Sequence, residues 1–477
     1  ALMLCAARRA PLAAAGVKLL SSVGSTMVRQ QGQPWPIWGW ADAGEQVTVS
    51  FAGQSHSAKA DDKGNWMVKL DALQASSTPA AMTIKGKNEI KLTNILVGEV
   101  WVCSGQSNMQ WAVRQSSDPD LEIAAANYPD IRLVSVPRVA ATEPQSDFQG
   151  EWAECTPDTV AGFSAVGYYF GRQLHKTLNV PVGLINTSWG GTRAEAWTRM
   201  GALEKAGDEV TPLLKWWDAA VEKDANKFAR SQHRPANLYN GMIHPLIPFA
   251  VKGAIWYQGE SNAGRAYQYR TIFPTMIQNW RNDWGYDLSF YWVQLANFLA
   301  KKDQPGESAW AELREAQSMT MKLPRTGEAV IIDIGMARDI HPKNKQDVGK
   351  RLARWALVQD YGRTDIAASG PRFKSMEKKG NKIVLKFDHV AGGLMPWDKE
   401  PLKGFAIAGA DKQFVWADAK IVSKDTIEVW SDKVADPVAV RYGWADNPDG
   451  NLYNNLELPA SPFRTDDWDG VTKGKHY

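Results

Sequence analysis

The chain has 477 residues, a length that indicates two or three domains rather than a single core. Its net charge is +3 and basic residues form no long run, so neither nucleic acid nor an anionic membrane surface is an expected partner. No apolar run approaches the roughly 20 residues that span a bilayer, which excludes an integral membrane protein. Tryptophan is unusually frequent, with 22 residues. Most of these rings are expected in cores, although exposed rings can also stack on ligands such as sugars.

The N-terminal segment, residues 1–16, reads ALMLCAARRAPLAAAG. Its small residues are typical of a cleavage site, but the arginines follow the apolar stretch, which is the reverse of an intact signal peptide. We interpret the segment as a leader remnant or a disordered tail. This interpretation predicts a secreted or periplasmic protein.

The three cysteines, Cys5, Cys103 and Cys155, form neither a disulfide framework nor a zinc-binding pattern. Cys103 lies in an apolar run and is expected to be a small buried hydrophobe. A bridge between Cys103 and Cys155 stays open, because spacing alone does not decide it. No cluster of His, Asp and Cys has metal-ligand spacing, so we predict neither a metal nor a cofactor.

Residues 17–94 and 366–477 both have the pattern of β structure. Alternation of polar and apolar residues over 46–51 and 66–70 predicts half-buried strands, with a hairpin turn at 61–65. The same alternation returns over 382–387 and 426–430. These two regions are either separate domains or packed together, and the sequence does not decide between the two arrangements.

Residues 95–365 alternate between apolar strands and helical stretches, which predicts a parallel sheet covered on both faces. After the strand beginning at Leu96, the predicted strands are 180–186, 253–257, 290–295 and 329–334. The predicted helices are 166–178, 203–228 and 267–282.

The stretch Leu96–Trp111, LVGEVWVCSGQSNMQW, is an apolar run that stops abruptly at Gly105-Gln106-Ser107-Asn108. Such a run predicts a buried parallel strand, and ligands bind beyond the carboxyl ends of such strands. Ser107 is therefore a candidate nucleophile, with Gly105 permitting close backbone approach. The alternative is that Ser107 only caps a helix.

Three further polar stretches follow predicted strands: residues 186–192, 256–262 and 339–342. All four stretches are therefore expected at one edge of the sheet. Acyl transfer needs a nucleophile, a base and a carboxylate that orients the base. Ser107, His341 and Asp339 can fill these roles.

The tetrahedral intermediate of acyl transfer also needs hydrogen-bond donors for its oxyanion. The N–H of Ser107, a glycine of the pair Gly190-Gly191, and the amide of Gln258 or Asn262 can supply them. The sequence around them contains no G-x-S-x-G elbow of the kind found in lipases.

The segments GQSNMQW, SWGGTRAEAW, WYQGESNA and DIHPKNK, in this order, resemble the sialate O-acetylesterase-like branch of the SGNH (GDSL-type) hydrolases. WADNPDGNLYN and LPASPFRTDDW near the C-terminus resemble the same branch, so the likeness covers nearly the whole chain. It implies an α/β protein: a flavodoxin-like α/β/α SGNH hydrolase domain flanked by N-terminal and C-terminal β-sandwich regions. It also implies a metal-free enzyme that removes acetyl groups from sugars, such as sialic acids, xylan or xyloglucan.

The chain departs from the wider SGNH pattern in two places. The usual acid lies three residues before the histidine, where this chain has Arg338. Asp339 is the nearest carboxylate, and Asp333 is the alternative. The usual oxyanion asparagine lies two residues after a glycine, where this chain has Ser261.

Because of that second departure, Gln258 or Asn262 must replace the missing asparagine, and we favour Gln258 because it lies nearest the strand end. Of the two neighbouring glycines we favour Gly191.

The remaining polar and aromatic residues of the four stretches are candidates for substrate binding: Asn108, Trp189, Glu260 and Asn262. The predicted partner is an acetylated oligosaccharide or polysaccharide. An alternative function is a carbohydrate-binding protein with an inactive hydrolase-like domain, which the β regions and the tryptophans would suit. The presence of both Ser107 and His341 favours the esterase.

Overall fold

The computed structural model describes residues 16–477, so the leader hypothesis falls almost entirely outside the described residues. The first strands alternate as predicted: Val47, Val49 and Phe51 are buried between exposed or half-buried neighbours. Two sheets face each other here, and Trp35 contacts Phe51 across them at a ring-centroid distance of 6.3 Å. The strands are β1 (Lys18–Leu19), β2 (Val28–Gln30), β3 (Trp35–Trp40), β4 (Gln46–Phe51), β5 (Gln54–Lys59), β6 (Asn65–Leu70), β7 (Ser76–Lys85) and β8 (Glu89–Gly105).

Strand β8 is 17 residues long and belongs to both the N-terminal β region and the central sheet of the chain. Its first part pairs with β7, and its residues 96–98 pair in parallel with β2. The predicted boundary between residues 94 and 95 therefore lies inside one continuous strand. The two regions also share one hydrophobic core.

The central sheet has the strand order β10-β9-β11-β8-β12-β13-β14. Its added strands are β9 (Tyr128–Ser135), β10 (Ala153–Cys155), β11 (Val182–Ser188), β12 (Gly253–Tyr257), β13 (Ser289–Val293) and β14 (Thr326–Ala329). Strands β11-β8-β12-β13-β14 are parallel and have the 2-1-3-4-5 order of flavodoxin-like folds. Strand β9 continues this parallel sheet and β10 closes its edge antiparallel.

Helices cover both faces of this sheet. In β8, Trp101 and Cys103 face α4 (Ala165–Leu178) and α10 (Lys345–Gln359), whereas Val100 and Val102 face the side that α8 (Ala266–Trp284) and α9 (Ala309–Met319) cover. The other helices are α1 (Ser107–Gln110), α2 (Pro119–Ala124), α3 (Pro157–Val160), α5 (Met200–Leu203), α6 (Thr211–Lys223) and α7 (Ala225–Phe228). Short 3-10 helices span Val113–Gln115, Ala194–Trp197, His244–Leu246, Glu260–Arg265 and Thr320–Lys322, and a π-helix spans Tyr239–Ile243.

Three predicted elements differ from the structure. The strand predicted at 329–334 ends at Ala329, so Asp333 lies in the loop beyond it. The helix predicted at 203–228 is divided among α5, α6 and α7, with a left-handed glycine, Gly207, in the first gap. Cys103 and Cys155 are free thiols buried in the core, so the bridge left open by their spacing is absent. Burial raises the pKa of Cys155 to about 12.

The C-terminal region forms a core of its own. Its strands are β15 (Arg372–Lys379), β16 (Lys382–Asp388), β17 (Leu394–Pro396), β18 (Phe405–Ala408), β19 (Val415–Trp416), β20 (Asp418–Ser423), β21 (Thr426–Trp430), β22 (Ala439–Tyr442), β23 (Leu452–Asn454) and β24 (Phe463–Arg464). Ion pairs such as Arg372–Glu328 and Arg464–Glu315 join it to the region of the central sheet. Within residues 16–477, no hydrogen bond or ion pair joins it to the N-terminal β region.

None of the helices among residues 16–477 combines the length and the apolar character that crossing a bilayer requires.

Candidate active site

The nucleophile candidate lies where β8 ends. Gly105 has φ = +141°, and a Cβ there would lie 2.2 Å from the carbonyl oxygen of Tyr257 on the adjacent strand. Only glycine allows this close approach, which turns the chain sharply into α1. Ser107 is the first residue of α1 and is partly exposed.

His341 lies against Ser107 although 234 residues separate them. Its Nε2 atom is 2.9 Å from Ser107 Oγ. The indole of Trp111 stacks on the imidazole, with ring centroids 4.7 Å apart and planes 13° from parallel. Pro342 restricts the backbone before it, and α10 begins three residues later.

Asp339 lies on the opposite side of the imidazole from Ser107. Its Oδ1 accepts a hydrogen bond of 2.9 Å from the backbone N–H of His341 and lies 3.5 Å from Nδ1. The second separation is longer than a charge-assisted hydrogen bond, but such contacts often tighten only when substrate binds. Burial lowers the pKa of His341, and the nearby Asp339 carboxylate opposes this shift.

Asp333, the alternative acid, is engaged elsewhere. Its two carboxylate oxygens accept hydrogen bonds of 2.6 and 2.7 Å from the Arg351 guanidinium. The structure therefore brings Ser107, His341 and Asp339 together and leaves Asp333 in a separate ion pair.

The glycine pair Gly190-Gly191 lies beside the nucleophile. The N–H of Gly190 donates to Gln110 Oε1 at 2.7 Å, and a Cβ on Gly190 would lie 3.3 Å from Ser107 Cβ. Gly191 has φ = +74°, and within residues 16–477 its N–H has no acceptor. Of the two glycines, Gly191 therefore keeps a donor available.

The side chains of Gln258 and Asn262 are buried and committed to other partners. Gln258 Nε2 donates to the Thr192 carbonyl at 3.1 Å and to Asn262 Oδ1 at 2.6 Å. Asn262 Nδ2 donates to Glu195 at 2.9 Å. In this arrangement both amides support the loop after β11, so an oxyanion role for Gln258 stays a prediction that requires its amide to leave Thr192 or Asn262.

The predicted substrate-binding residues divide by exposure. Trp189 is partly exposed beside Gly190 and can contact a ligand. Asn108 and Asn262 are each only 1% exposed, and protein groups occupy their amides, so their positions do not favour substrate contact. Glu260 Oε1 accepts a hydrogen bond of 2.6 Å from Asn108, which turns the carboxylate towards the protein interior.

Sequence reasoning missed three residues of this site: Gln110, Trp111 and Lys345. Gln110 and Trp111 are the last residues of the segment GQSNMQW, and their contacts with Gly190 and His341 depend on the short helix α1. Lys345 is fully buried and donates to Asn108. A lysine at the start of an amphipathic helix gives no sequence signal that distinguishes it from a surface residue.

No group of three or more His, Cys, Asp and Glu side chains in the described part of the chain could hold a metal ion. A cavity of about 400 Å³ lies between the loop 301–307 and the C-terminal sheet, where Trp416 and Trp444 line it. None of the predicted site residues lines that cavity.

Comparison with known proteins identifies the family to which the chain belongs. A family model described as "Carbohydrate esterase, sialic acid-specific acetylesterase" matches residues 97–357, more than half of the chain. Sialate O-acetylesterase of Homo sapiens is 31% identical over 94% of this chain and 92% of its own length. The Rattus norvegicus protein of the same name is 31% identical over 97% of this chain and 96% of its own.

A solved structure is also similar over nearly the whole chain. The crystal structure of a carbohydrate acetylesterase from Xanthomonas citri matches with a TM-score of 0.87 and 43% sequence identity, covering 95% of this chain and 100% of that one. The resemblance inferred from the sequence segments is thus confirmed. The chain belongs to the sialic acid-specific acetylesterase family of carbohydrate esterases and is a carboxylic ester hydrolase.

Proposed function

We propose that the protein is a serine esterase that removes O-acetyl groups from acetylated carbohydrates through an acyl-enzyme on Ser107. The observation that carries the proposal is the 2.9 Å contact between Ser107 Oγ and His341 Nε2, with Asp339 on the far side of the same ring. This is the order of groups that a nucleophile, a base and an orienting carboxylate require.

In the acylation step, Ser107 Oγ attacks the acetyl carbonyl carbon while His341 Nε2 takes the hydroxyl proton. The tetrahedral intermediate collapses, the C–O bond to the sugar breaks, and His341 returns the proton to the sugar oxygen. Water then attacks the acetyl-serine with His341 again as base, and acetate leaves. Asp339 holds the imidazole and stabilises its charged form.

The oxyanion of the intermediate needs donors fixed before reaction. The N–H groups of Ser107 and Gly191 support this role, because neither has an acceptor within residues 16–477. The hydrogen bond from Gly190 to Gln110 fixes the loop that carries Gly190 and Gly191 relative to α1. Gln258 donates a hydrogen bond to the Thr192 carbonyl and so supports the same loop.

The substrate class we propose is an acetylated sugar, either a sialic acid or a plant hemicellulose such as xylan or xyloglucan. The sialate O-acetylesterases of two mammals and the bacterial carbohydrate acetylesterase support this class. We also propose that the protein acts in the periplasm or outside the cell.

The test is acetate release from a panel of acetylated glycans by wild type and Ser107→Ala. Loss of the nucleophile should lower turnover by several orders of magnitude while the circular dichroism spectrum stays unchanged. Ser104→Ala is a matched control, since its hydroxyl is buried three residues earlier without a partner among the described residues. Near-normal turnover by folded Ser107→Ala would contradict the proposed mechanism. No acetate release by wild type would favour the alternative, a carbohydrate-binding protein with an inactive hydrolase-like domain.

A further inference from the structure

A buried lysine lies behind the candidate active site. Lys345 has no exposed surface, and its Nζ donates to Asn108 Oδ1 and lies 5.1 Å from the centre of the Tyr257 ring. It is the first residue of α10, where the helix dipole disfavours a positive charge. Burial disfavours the charge as well. A lysine in a position with two such costs is a candidate for a functional role.

Asn108 connects this lysine to both halves of the candidate triad. It directly follows Ser107, and its Nδ2 donates to the carbonyl of Ile340 at 3.0 Å, one residue before His341. The same amide donates to Glu260 Oε1 at 2.6 Å. One buried side chain thus ties the turn that carries the serine to the loop that carries the histidine, and Lys345 fixes its orientation.

We propose that Lys345 is a positioning residue for the hydrolysis of the ester, holding Asn108 so that Ser107 and His341 keep their contact, and placing a positive charge behind the histidine. The proposal rests on the proposed function of Ser107 and His341. Lys345 touches neither the substrate nor the reacting atoms. Its effect passes through Asn108 and through the electric field at the imidazole.

The groups that face Lys345 are the carboxylates of Glu260 and Asp339, the phenol of Tyr257 and the imidazole of His341. Burial lowers the pKa of Lys345 to about 7 and raises the pKa of Glu260. Burial lowers the pKa of His341, and of the charged groups around it Asp339 raises that pKa whereas the ammonium form of Lys345 lowers it. Removal of the ammonium should therefore raise the pKa of His341 and move the acid limb of activity to higher pH.

The test compares Lys345→Met, Lys345→Gln and Lys350→Met by the pH dependence of kcat/KM on p-nitrophenyl acetate. We expect Lys345→Met to lower kcat by about tenfold or more with little change in KM, since the reacting groups lose alignment. Its acid limb should move to higher pH. Lys345→Gln retains an N–H donor for Asn108 and should therefore have a higher kcat than Lys345→Met. Its acid limb should still lie at higher pH than that of wild type, because the positive charge is gone. Lys350→Met is the matched control, because Lys350 is an exposed lysine of the same helix.

A second measurement does not depend on activity. Proton NMR of the His341 ring should show a higher pKa in folded Lys345→Met than in wild type. This readout separates the inference from the proposed function, which fails by itself if Ser107→Ala keeps its turnover.

Two results would overturn the inference. One is a folded Lys345→Met that matches Lys350→Met in kcat and in the position of its acid limb. The other is a pKa of His341 in folded Lys345→Met or Lys345→Gln that is no higher than in wild type. Lys345→Gln keeps the inference testable if Lys345→Met folds poorly, since it replaces the ammonium with a neutral polar group.

Discussion

Asp339 and Asp333 are two carboxylates six residues apart that the structure places in different surroundings. Asp339 faces His341, whereas Asp333 holds Arg351 through both oxygens. Substitution of each by asparagine should therefore have different consequences. The removed charge faces the candidate base His341 in one case and belongs to an ion pair with Arg351 in the other.

Asp339→Asn should lower kcat by much more than tenfold, because an amide no longer favours the imidazole tautomer that acts as base. The loss should stay smaller than that of Ser107→Ala. Asp333→Asn should leave kcat nearly unchanged and lower the free energy of unfolding by about 1–3 kcal/mol through its lost bonds to Arg351. Steady-state kinetics with urea denaturation measures both effects. If Asp333→Asn lost most of its kcat while Asp339→Asn kept nearly all of it, Asp333 and not Asp339 would be the carboxylate of the triad.

The pH dependence of wild type follows from the surroundings of His341. Burial and the ammonium of Lys345 lower the pKa of His341, so the ring stays neutral at pH values where a free histidine is already charged. Activity should be fully present above the ordinary pKa of about 6.5 and be lost only as pH falls through a lower midpoint. The acid limb of kcat/KM measures that midpoint. A midpoint above about 7 would contradict this account.

At this scale the sequence predicts the residue types better than their contacts. Ser107, His341 and Asp339 could be named because acyl transfer needs those groups at the edge of a sheet. The bond between Asn108 and Lys345 could not, because it depends on how the loop before α10 crosses α1. The commitment of Gln258 to Thr192 depends likewise on the path of the loop after β11.

The element that positions Ser107, the candidate nucleophile, is the turn from β8 into α1. It depends on Gly105, whose backbone conformation and contact with Tyr257 exclude a side chain. Strand β12 on one side and β11 on the other fix the end of β8. The site therefore rests on packed strands, which makes it sensitive to small displacements at this one position.

Gly105→Ala should destabilise the protein by about 3 kcal/mol or more, because the Cβ meets a backbone carbonyl that cannot move away. Thermal unfolding of the variant measures this cost. Gly264→Ala provides the comparison, since a Cβ at Gly264 meets nothing within 4 Å. Equal melting temperatures for the two variants would show that the turn tolerates a side chain.

Among the elements, the sequence predicts β12 to the residue and the ends of α4 and α8 to within two residues, because an unbroken apolar run marks the strand and apolar residues at helical spacing mark the helices. The sequence does not predict strand β9, YPDIRLVS, because Pro129, Asp130 and Arg132 break the apolar pattern. Arg132 is nonetheless buried and donates to the carbonyls of Thr26 and Pro129. The sequence does not reveal that such a charged group has tertiary partners.

At the scale of the molecule, the N-terminal β region and the central sheet form one continuous structural unit. Strand β8 passes through both, and their apolar side chains form one core. Domain boundaries inferred from a change in sequence pattern do not reveal this arrangement, because the pattern changes where the strand does not end. The C-terminal region differs in having a separate core.

A fragment of residues 95–365 should accordingly fail to fold, because it loses the partners of β8 on both edges and exposes part of the shared core. Circular dichroism and calorimetry of the fragment measure this directly. Its counterpart, residues 16–365, retains both halves of β8 and is the informative comparison. A sharp unfolding transition in the 95–365 fragment would show that the central sheet folds without the N-terminal β region.

Strand β8 also has neighbours along both of its edges where the two regions meet. On one edge β2 pairs with residues 96–98 and β11 with residues 99–105, while on the other edge β7 pairs as far as Val97 and pairing with β12 begins at Trp101. The amide hydrogens in the middle of β8 are buried, so small local fluctuations do not expose them to deuterium. In hydrogen-exchange experiments they should exchange together, at the rate set by opening of the whole shared core. A probe of residues 96–103 would thus report the stability of both regions in one measurement.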